Sequence, residues 1–208
     1  MSVRKFEAVL FDIDGTLVDS REANIAFYQR ILGQAGYPIP TSDEIIPLLH
    51  LTMHDMIGAL AAGKDGSEID ALRAFARTVQ YPTELFRAFP YSNEAVISLS
   101  QKYRLGLVTN RRRKSVDNYF AFSGLRDYFP VVVGVDDVEH PKPSPEPLWK
   151  ALEELGVTAD RAVYVGDTHV DVAAARAAKM KVVLYTDVPG ADAYFRSYEE
   201  LERIIDRM

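Results

Sequence analysis

The chain has 208 residues, 48% of them hydrophobic and 26% charged, and a formal net charge of −6. This length suits one large hydrophobic core, with or without a small insertion, and the acidic balance argues against a general nucleic-acid-binding protein, which needs a basic face. The absence of cysteine excludes disulfides and thiolate metal sites. No apolar run is long enough for a membrane helix, and the first residues turn acidic too soon for a signal peptide, so we expect a cytoplasmic protein with no membrane partner.

Five short apolar runs, each bounded by turn residues, predict the strands of a buried parallel sheet. In chain order they cover residues 6–11, 104–109, 130–134, 161–166 and 181–185. Helix-length segments accompany the later strands, at residues 93–102, 112–122, 144–155 and 169–179. This alternation predicts an α/β fold with a Rossmann-like, doubly wound parallel sheet.

Residues 19–89 interrupt the alternation because they contain no strand-like run. They show an amphipathic helical pattern instead, in which two stripes of apolar residues recur at helical spacing. The stripes are Ile25, Tyr28, Ile31 and Leu32, followed by Ile69, Leu72, Phe75 and Val79. Thr41 or Ser42 can cap a helix between them. We therefore predict two domains, a core of residues 1–18 and 90–208 and an inserted helical domain of residues 19–89 with about four helices.

Polar residues follow the predicted strands, where an open parallel sheet binds its ligands. In chain order they are Asp12, Asp14, Thr109, Asn110, Asp136, Asp137, Asp167 and Asp171. Several carboxylates at one sheet edge repel one another unless a hard cation neutralises them. Mg²⁺ suits such a site because it prefers about six oxygen ligands and retains waters that a substrate phosphate can replace. The pattern therefore predicts Mg²⁺ as a cofactor.

The opening pair, Asp12 and Asp14 in "DIDG", suits phosphoryl transfer. An ionised carboxylate can attack phosphorus without a general base. Gly15 allows a tight turn, after which backbone amides can bind phosphoryl oxygens. This pattern alone also fits a simple turn in which an aspartate caps its own loop, so that alternative stays open.

Four segments, taken in order, resemble the four motifs of the haloacid dehalogenase superfamily. They are "FDIDGTLVDS" (11–20), "GLVTN" (106–110), "KPSPEP" (142–147) and "VGDTHVD" (165–171). The helical insertion between the first and second segments is similar to a type-one cap domain of that superfamily. The resemblance implies a Rossmann-like core with an α-helical cap, whose closure would exclude water from a phosphoryl-transfer site.

The resemblance also implies catalytic roles. Asp12 would be the nucleophile that forms an aspartyl-phosphate, and Asp14 would protonate the leaving group and then deprotonate the attacking water. Thr109 would hydrogen-bond a phosphoryl oxygen, with help from the backbone of Asn110, and the amides near Gly15 would bind the same group. Thr109 could instead simply end a strand.

Charge compensation and metal binding complete the implied site. Lys142 would place positive charge beside the nucleophile and the transferring group. Without the proline-rich sequence around it, the same lysine would be interpreted as a surface residue. Metal would be held by the side chain of Asp12, the main-chain carbonyl of Asp14 and Asp167. Asp171 would either position the residues that form this site or only cap a helix in the pattern T-x-x-D.

Within the superfamily, "DGTLVDS" followed by a helical cap resembles the branch of phosphoglycolate phosphatases and β-phosphoglucomutases. The mutases usually carry histidine ten positions after the second aspartate, where this chain has Asn24. We therefore expect hydrolysis of a small phosphorylated metabolite, with phosphoglycolate as the first candidate, by a monomer or homodimer without a nucleic-acid partner. Sugar phosphates, pyrophosphate and nucleoside monophosphates remain open as substrates. A sugar-phosphate mutase, a dehalogenase and a catalytically silent binding protein are the alternative functions.

Two further patterns have more than one explanation. His50 and His54 would share a helical face if the helix were continuous there, but no third zinc ligand is in view. Arg111–Arg113 follow the second motif, where cations oppose the helix dipole, so they indicate either an anionic substrate nearby or a solvated helix start.

The chain also departs from its relatives at two places. In "PYSNEA" many relatives have proline followed by glycine, and at Lys179 relatives usually have glycine.

Overall fold

The computed structural model describes residues 5–208, and the chain divides into two compact units. The first unit comprises the residues up to Asp19 together with Ala88–Met208, and the second comprises Ser20–Arg87. The second unit falls within the predicted insertion of residues 19–89. Its function as a cap stays a prediction.

The strands are short, as expected for buried parallel strands. They are β1 (Ala8–Phe11), β2 (Val18–Asp19), β3 (Arg87–Ala88), β4 (Arg104–Val108), β5 (Val131–Val133), β6 (Ala162–Gly166), β7 (Lys181–Leu184) and β8 (Ala193–Tyr194). Across the described residues, six of them form a parallel sheet in the order β5-β4-β1-β6-β7-β8. All five predicted strands are present, and the predicted α/β fold with a doubly wound parallel sheet is confirmed.

The order of the strands reverses beside β1, which positions the site. From β1 the chain moves outward through β4 to β5, then returns to β6 on the other side of β1 and continues to β7 and β8. In open α/β sheets the crevice beyond the strand ends at such a reversal is where ligands bind. Asp12 follows β1 directly and Asp167 follows β6 directly.

Nine α-helices are assigned within the described residues. They are α1 (Arg21–Gln34), α2 (Ser42–Ile45), α3 (Met53–Leu60), α4 (Gly66–Ala76), α5 (Ser92–Ser100), α6 (Arg113–Ser123), α7 (Glu146–Leu155), α8 (His169–Ala177) and α9 (Tyr198–Arg207). The four helices predicted for the core correspond to α5–α8. In the part of the chain that the structure describes, no helix combines the length and apolar character needed to cross a bilayer.

The core of the first unit is built on continuous apolar strands. All four residues of β1 are fully buried, as are Val163, Tyr164 and Val165 of β6. Side chains of α7 and α8, including Leu148 and Ala174, join the same hydrophobic cluster as the strand residues. Burial on both faces explains why these strands are continuous apolar runs rather than alternating ones.

The second unit has its own hydrophobic core. Tyr28, Ile31 and Leu32 of the first predicted stripe are buried, and Leu72 of the second stripe is buried in the same cluster. The Thr41 side chain caps α2 by accepting from the Glu44 amide, in a capping box. The prediction that helices occupy this segment is therefore correct.

His50 and His54 do not share a helix. Thr52 caps α3, which begins at Met53, so His50 lies in the turn before the helix and the condition for a histidine pair is not met. The cap forms because the Thr52 hydroxyl accepts from the Asp55 amide.

Among residues 5–208, two non-glycine residues have left-handed backbone torsions, Tyr91 with φ of 63° and Lys179 with φ of 61°. Both positions lie in the segments where relatives usually have glycine. Glycine adopts this region without the steric cost that a Cβ atom brings. The two departures noted in the sequence are therefore sites of local backbone strain.

Candidate active site

The loop after β1 is a tight turn. The amide of Asp12 extends the ladder by donating to Val165 O at 2.9 Å, and the Gly15 amide then closes the turn by donating to Val18 O at 2.9 Å. Gly15 has φ of +70°, and a Cβ added there would lie 2.2 Å from Asp167 Oδ2. Glycine is thus required both for the backbone torsion and for the close approach of Asp167.

Replacing Gly15 with Ala should therefore cost more than the backbone strain alone. Gly124→Ala is the matched control, because Gly124 has φ of +72° but no atom within 4 Å of the added Cβ. We expect Gly124→Ala to lose about 1–2 kcal/mol of unfolding free energy from the left-handed torsion. Gly15→Ala should lose clearly more, measured by urea denaturation. Equal losses would show that Asp167 does not crowd this position.

A buried lysine connects the end of β1 with β6 and with the first turn of α8. Lys142 Nζ donates to Asp171 Oδ1 at 2.7 Å and to Tyr164 Oη at 2.8 Å, and it lies 2.9 Å from Asp12 Oδ1. The contact with Asp12 is an ion pair without hydrogen-bond geometry, since Asp12 Oδ1 has no hydrogen-bond partner within the described chain. Tyr164 Oη lies 3.0 Å from Val108 O, which accepts its proton. The lysine is thereby held beside the predicted nucleophile.

Asp171 serves two structural purposes. Its Oδ2 accepts from the Thr168 amide at 3.0 Å and from Thr168 Oγ1 at 2.7 Å, which completes the capping box of α8. Its Oδ1 accepts from Lys142 and lies 3.0 Å from Tyr164 Oη. Asp171 therefore caps the helix, as one of the two explanations expected, and also contacts Lys142, while its part in supporting a metal site stays a prediction.

Burial and repulsion between carboxylates raise the pKa values of two acidic groups in the site. Burial raises the pKa of Asp12 to about 7, with Asp171 and Asp14 adding repulsion and Lys142 opposing it. Burial, followed by repulsion from Asp171 and Asp12, raises the pKa of Asp167 to about 9. Without an added cation, burial and repulsion disfavour the charged forms of both carboxyls.

For Lys142 and Asp171, the attraction between opposite charges outweighs the effect of burial on the pKa. Burial alone would raise the pKa of Asp171, but the charge and hydrogen bond of Lys142 outweigh it and lower the pKa. Burial alone would lower the pKa of Lys142, but the carboxylates of Asp12 and Asp171 outweigh it and raise the pKa. These two groups are therefore an ion pair at neutral pH.

The donor set fits a hard divalent cation. Asp12, Asp167 and Asp171 each offer a carboxylate oxygen, and these oxygens lie within 4.8 Å of one another. Both oxygens of Asp171 already accept hydrogen bonds, whereas Asp12 Oδ1 accepts none from the described residues. Asp12 and Asp167 are thus the carboxylates with capacity for a metal, and a bound cation would offset the burial and repulsion that raise the pKa of both.

Thr109 and Asn110 lie at the end of β4, close to the lysine segment. Thr109 is buried, and its Oγ1 accepts from the Arg111 amide at 3.2 Å. The Asn110 side-chain amide donates to Lys142 O at 3.0 Å. Asn110 therefore fixes the backbone that carries Lys142, a contact that the sequence did not indicate.

The arginine run divides into two kinds of residue. Arg111 is buried and forms two hydrogen bonds to Asp14. Arg112 and Arg113 are more exposed and pair with Asp136 and Asp137 at 3.0 and 3.6 Å. The two aspartates thus brace the start of α6, whereas Lys142 pairs with Asp12 and Asp171.

Two site residues were missed. Tyr164 supports Lys142, and its signal was a lone tyrosine in an otherwise aliphatic strand, because a buried tyrosine hydroxyl usually has a partner. Thr16 donates to Asp167 Oδ1 at 3.2 Å and is fully buried. It lies within the first motif, but its spacing alone does not show which carboxylate it meets.

Comparisons with known proteins agree on one family. The model of the haloacid dehalogenase-like hydrolase family matches residues 9–185. The pyrophosphatase PpaX of Bacillus mycoides (strain KBAB4) is 33% identical over 205 residues, which are 98% of this chain and 94% of that protein. A crystal structure of a haloacid dehalogenase superfamily hydrolase, subfamily IA, variant 1, from Geobacter sulfurreducens is 31% identical, with a TM-score of 0.75 and 97% of each chain covered.

A further structure shares the fold. The predicted phosphoglycolate phosphatase from Haemophilus somnus is 21% identical, with a TM-score of 0.85, and the match covers 98% of this chain and 99% of that chain. The resemblance inferred from four sequence motifs is confirmed by these matches, as is the prediction that the chain is a hydrolase. The individual catalytic roles stay predictions. The chain belongs to the haloacid dehalogenase-like hydrolase family.

Proposed function

We propose that the chain is a Mg²⁺-dependent phosphatase that hydrolyses a small phosphorylated metabolite through an aspartyl-phosphate on Asp12. The observation that carries this proposal is the placement of Asp12. Its carboxylate is buried at the strand-order reversal, 2.9 Å from the Lys142 ammonium and beside Asp167. A buried carboxylate with a lysine at one side and an acidic cluster that could hold a cation at the other is suited to receive a phosphoryl dianion once that cation is bound.

The first half of the reaction transfers the phosphoryl group to the chain. An oxygen of Asp12 attacks phosphorus, and the bond between phosphorus and the leaving oxygen breaks. Asp14 gives its proton to that leaving oxygen. Lys142 reduces the repulsion between the Asp12 carboxylate and the phosphoryl oxygens, and the hydroxyl of Thr109 is assigned to one of those oxygens.

The second half returns Asp12 to its starting state. Water attacks the phosphorus of the aspartyl-phosphate while Asp14 accepts the proton of that water. The bond between Asp12 and phosphorus breaks, and inorganic phosphate leaves. Asp14 can serve in both halves because each half ends with it in the protonation state that the other requires.

Asp12, Asp167 and the main-chain carbonyl of Asp14 would hold the metal. Mg²⁺ bound there supplies charge neutralisation for the carboxylates and for the incoming phosphoryl group. Thr16 keeps Asp167 oriented through its hydroxyl. Asp171 holds Lys142 and the start of α8, so its part is to position its neighbours.

Hydrolysis is favoured over mutase activity. Asn24 stands where mutases usually have histidine, and its side chain is engaged inside the helical unit, accepting from Tyr81 Oη at 2.7 Å and donating to Ser20 Oγ at 3.2 Å. An amide held in this way is not a general acid or base. Cytoplasmic location, oligomeric state and the absence of a nucleic-acid partner stay predictions.

Pyrophosphate and phosphoglycolate are the two leading substrates. The first follows the name of a relative that is 33% identical, and the second follows the sequence resemblance. The test is release of inorganic phosphate from a panel of phosphorylated metabolites in Mg²⁺ and in EDTA. We expect release in Mg²⁺ from at least one of these two and none in EDTA. Formation of an isomeric sugar phosphate instead would support the mutase alternative.

The raised pKa values, about 7 for Asp12 and about 9 for Asp167, set the pH dependence of stability without metal. Above the ordinary aspartate pKa of about 4 and up to these values, the folded chain retains protons that the unfolded chain has released. The contribution of these groups to stability therefore falls as pH rises through this window.

Mg²⁺ compensates the ionised carboxylates, so its stabilising effect should increase with pH. We expect the rise in unfolding temperature on adding Mg²⁺ to be larger at about pH 8 than at about pH 6. Scanning calorimetry measures the rise, and Asp167→Asn should remove most of it. An equal rise at both pH values would contradict the assignment of these carboxylates to the metal.

A further inference from the structure

Arg111 holds the carboxylate that is assigned proton transfer. Its Nε donates to Asp14 Oδ2 at 2.6 Å, and its Nη2 donates to Asp14 Oδ1 at 2.5 Å. The Arg111 side chain is only 8% exposed, and that of Asp14 is 26% exposed. Two parallel charge-assisted bonds of this kind are among the strongest side-chain contacts in proteins.

The backbone of Arg111 is fixed at the end of β4. Its amide donates to Thr109 Oγ1 at 3.2 Å, and its carbonyl accepts from the Val135 amide at 3.0 Å. A Cβ added at Gly134 would lie 2.7 Å from Arg111 O, so this segment is closely packed. Arg111 is therefore built into the site, unlike Arg112, which pairs with Asp136 away from the catalytic carboxylates.

This ion pair is not explained by the reaction as described so far. Proton transfer requires an oxygen of Asp14 at the leaving oxygen of the substrate, yet both oxygens of Asp14 are occupied by the guanidinium. A group that takes the place of Asp14 on Arg111 would release this carboxyl to approach the leaving oxygen. A second anion exchanges for the first at little electrostatic cost, whereas a neutral group would leave a buried cation unpaired.

We propose that Arg111 recognises a second anionic group on the leaving portion of the substrate, and that this anion displaces Asp14 from the guanidinium and frees it for proton transfer. The inference rests on the proposed function and narrows its substrate class. A planar guanidinium binds phosphate and carboxylate through two parallel bonds. The substrates it favours are therefore phosphoric anhydrides such as pyrophosphate, or phosphate esters whose leaving group carries a carboxylate, such as phosphoglycolate.

The test compares kcat/KM for pyrophosphate and 2-phosphoglycolate with kcat/KM for p-nitrophenyl phosphate, in wild type and in Arg111→Met. Pyrophosphate and p-nitrophenyl phosphate have leaving groups of similar basicity, but only the former carries a second anionic group on that portion. We expect Arg111→Met to lower kcat/KM about 10- to 100-fold for the anionic substrate that the wild type uses. For p-nitrophenyl phosphate, whose leaving group carries no second anion, the decrease should be clearly smaller, so the ratio of the two kcat/KM values should fall. This quantity is compared because kcat/KM reports only the steps up to formation of the aspartyl-phosphate.

Two further variants separate recognition from folding. Arg112→Met removes a positive charge from the adjacent position and should leave the ratio between the substrates unchanged. Arg111→Lys retains the charge without the two-pronged geometry and should give an intermediate ratio. It also provides a folded variant if Arg111→Met is unstable, which thermal unfolding will show.

Binding provides a readout apart from turnover. Methylenediphosphonate, a non-hydrolysable analogue of pyrophosphate, is titrated calorimetrically in Mg²⁺, with phenylphosphonate as the probe that lacks the second anion. Arg111→Met should weaken the first about 10- to 100-fold and the second by less than about 3-fold. Similar losses for both probes would assign Arg111 a structural part and overturn the inference.

The failure of this inference is distinguishable from that of the proposed function. If the wild type hydrolyses p-nitrophenyl phosphate in an Asp12-dependent way but neither anionic substrate, or if Arg111→Met affects all substrates equally, only the inference is overturned. If no phosphate ester or anhydride is hydrolysed in Mg²⁺, the proposed function fails and the inference with it. The anionic substrate that the wild type prefers shows whether the second anion is a phosphoryl group or a carboxylate.

Discussion

Replacing Asp12 with Asn is expected to lower kcat for phosphate release by about 10⁴-fold or more, since removing a covalent nucleophile has effects of this size or larger in well-studied hydrolases. The amide is nearly isosteric with the carboxyl group, but it is a far weaker nucleophile. It also removes one of the two carboxylates with capacity for the metal. Steady-state release of phosphate from pyrophosphate and from p-nitrophenyl phosphate measures the effect.

The control is Asp160→Asn, an exposed aspartate in a short turn of the same unit. It should retain wild-type activity. Circular dichroism should show that Asp12→Asn is folded, since burial disfavours the charged form of Asp12 and a neutral amide does not add to that cost. Phosphate release by Asp12→Asn at the wild-type rate would rule out nucleophilic attack by this residue.

Replacing Lys142 with Met should have the largest effect on stability, a loss of about 3–5 kcal/mol in unfolding free energy. The Lys142 side chain is 3% exposed and lies between Asp12 and Asp171, whose side chains are 10% and 1% exposed. Methionine fills a similar volume but leaves the Asp171 carboxylate without its cation. Urea denaturation followed by circular dichroism gives the loss.

Lys181→Met is the matched control. Lys181 also forms an ion pair, with Asp192 at 2.6 Å, but its side chain is 46% exposed. Exposed ion pairs contribute little because water screens them, so this variant should remain close to the wild type. Equal effects at the two lysines would mean that the buried network around Lys142 does not stabilise the fold.

Much of the fold followed from local sequence patterns. The buried strands were predictable because residues covered on both faces form continuous apolar runs, as in β1 and β6. β8 was missed because its two residues, Ala193 and Tyr194, form no apolar run. α9 was not among the predicted helices, although three of its residues, Tyr198, Leu201 and Ile205, are buried on one face.

The site was predictable in part. Asp12 and Asp167 could be expected at one edge of the sheet because each follows a predicted strand, and the structure shows that these two strands are neighbours at the reversal. The partners of Lys142 and Asp14 could not, because they depend on side-chain directions. Tyr164 lies inside a strand and Arg111 in a run of like residues, and only packing distinguishes either from its neighbours.

The fold thus places a buried anionic centre where the strand order reverses and leaves it short of positive charge. Lys142 supplies part of that charge from the side of Asp171. In the proposal above, the metal would supply the remaining positive charge, and Arg111, which pairs with Asp14 in this structure, would receive a second anion of the substrate. Under that proposal the substrate carries more than one negative group.

Trapping the covalent intermediate tests the route through Asp12 most directly. The enzyme is mixed with Mg²⁺ and pyrophosphate, quenched in acid during turnover and treated with borohydride, which reduces an aspartyl-phosphate to homoserine. Mass spectrometry of the peptide that contains residue 12 then locates the change. We expect homoserine at position 12 only when substrate is present. Reduction at a different aspartate would contradict covalent catalysis by Asp12. So would covalently bound phosphate on the enzyme with Asp12 left unmodified.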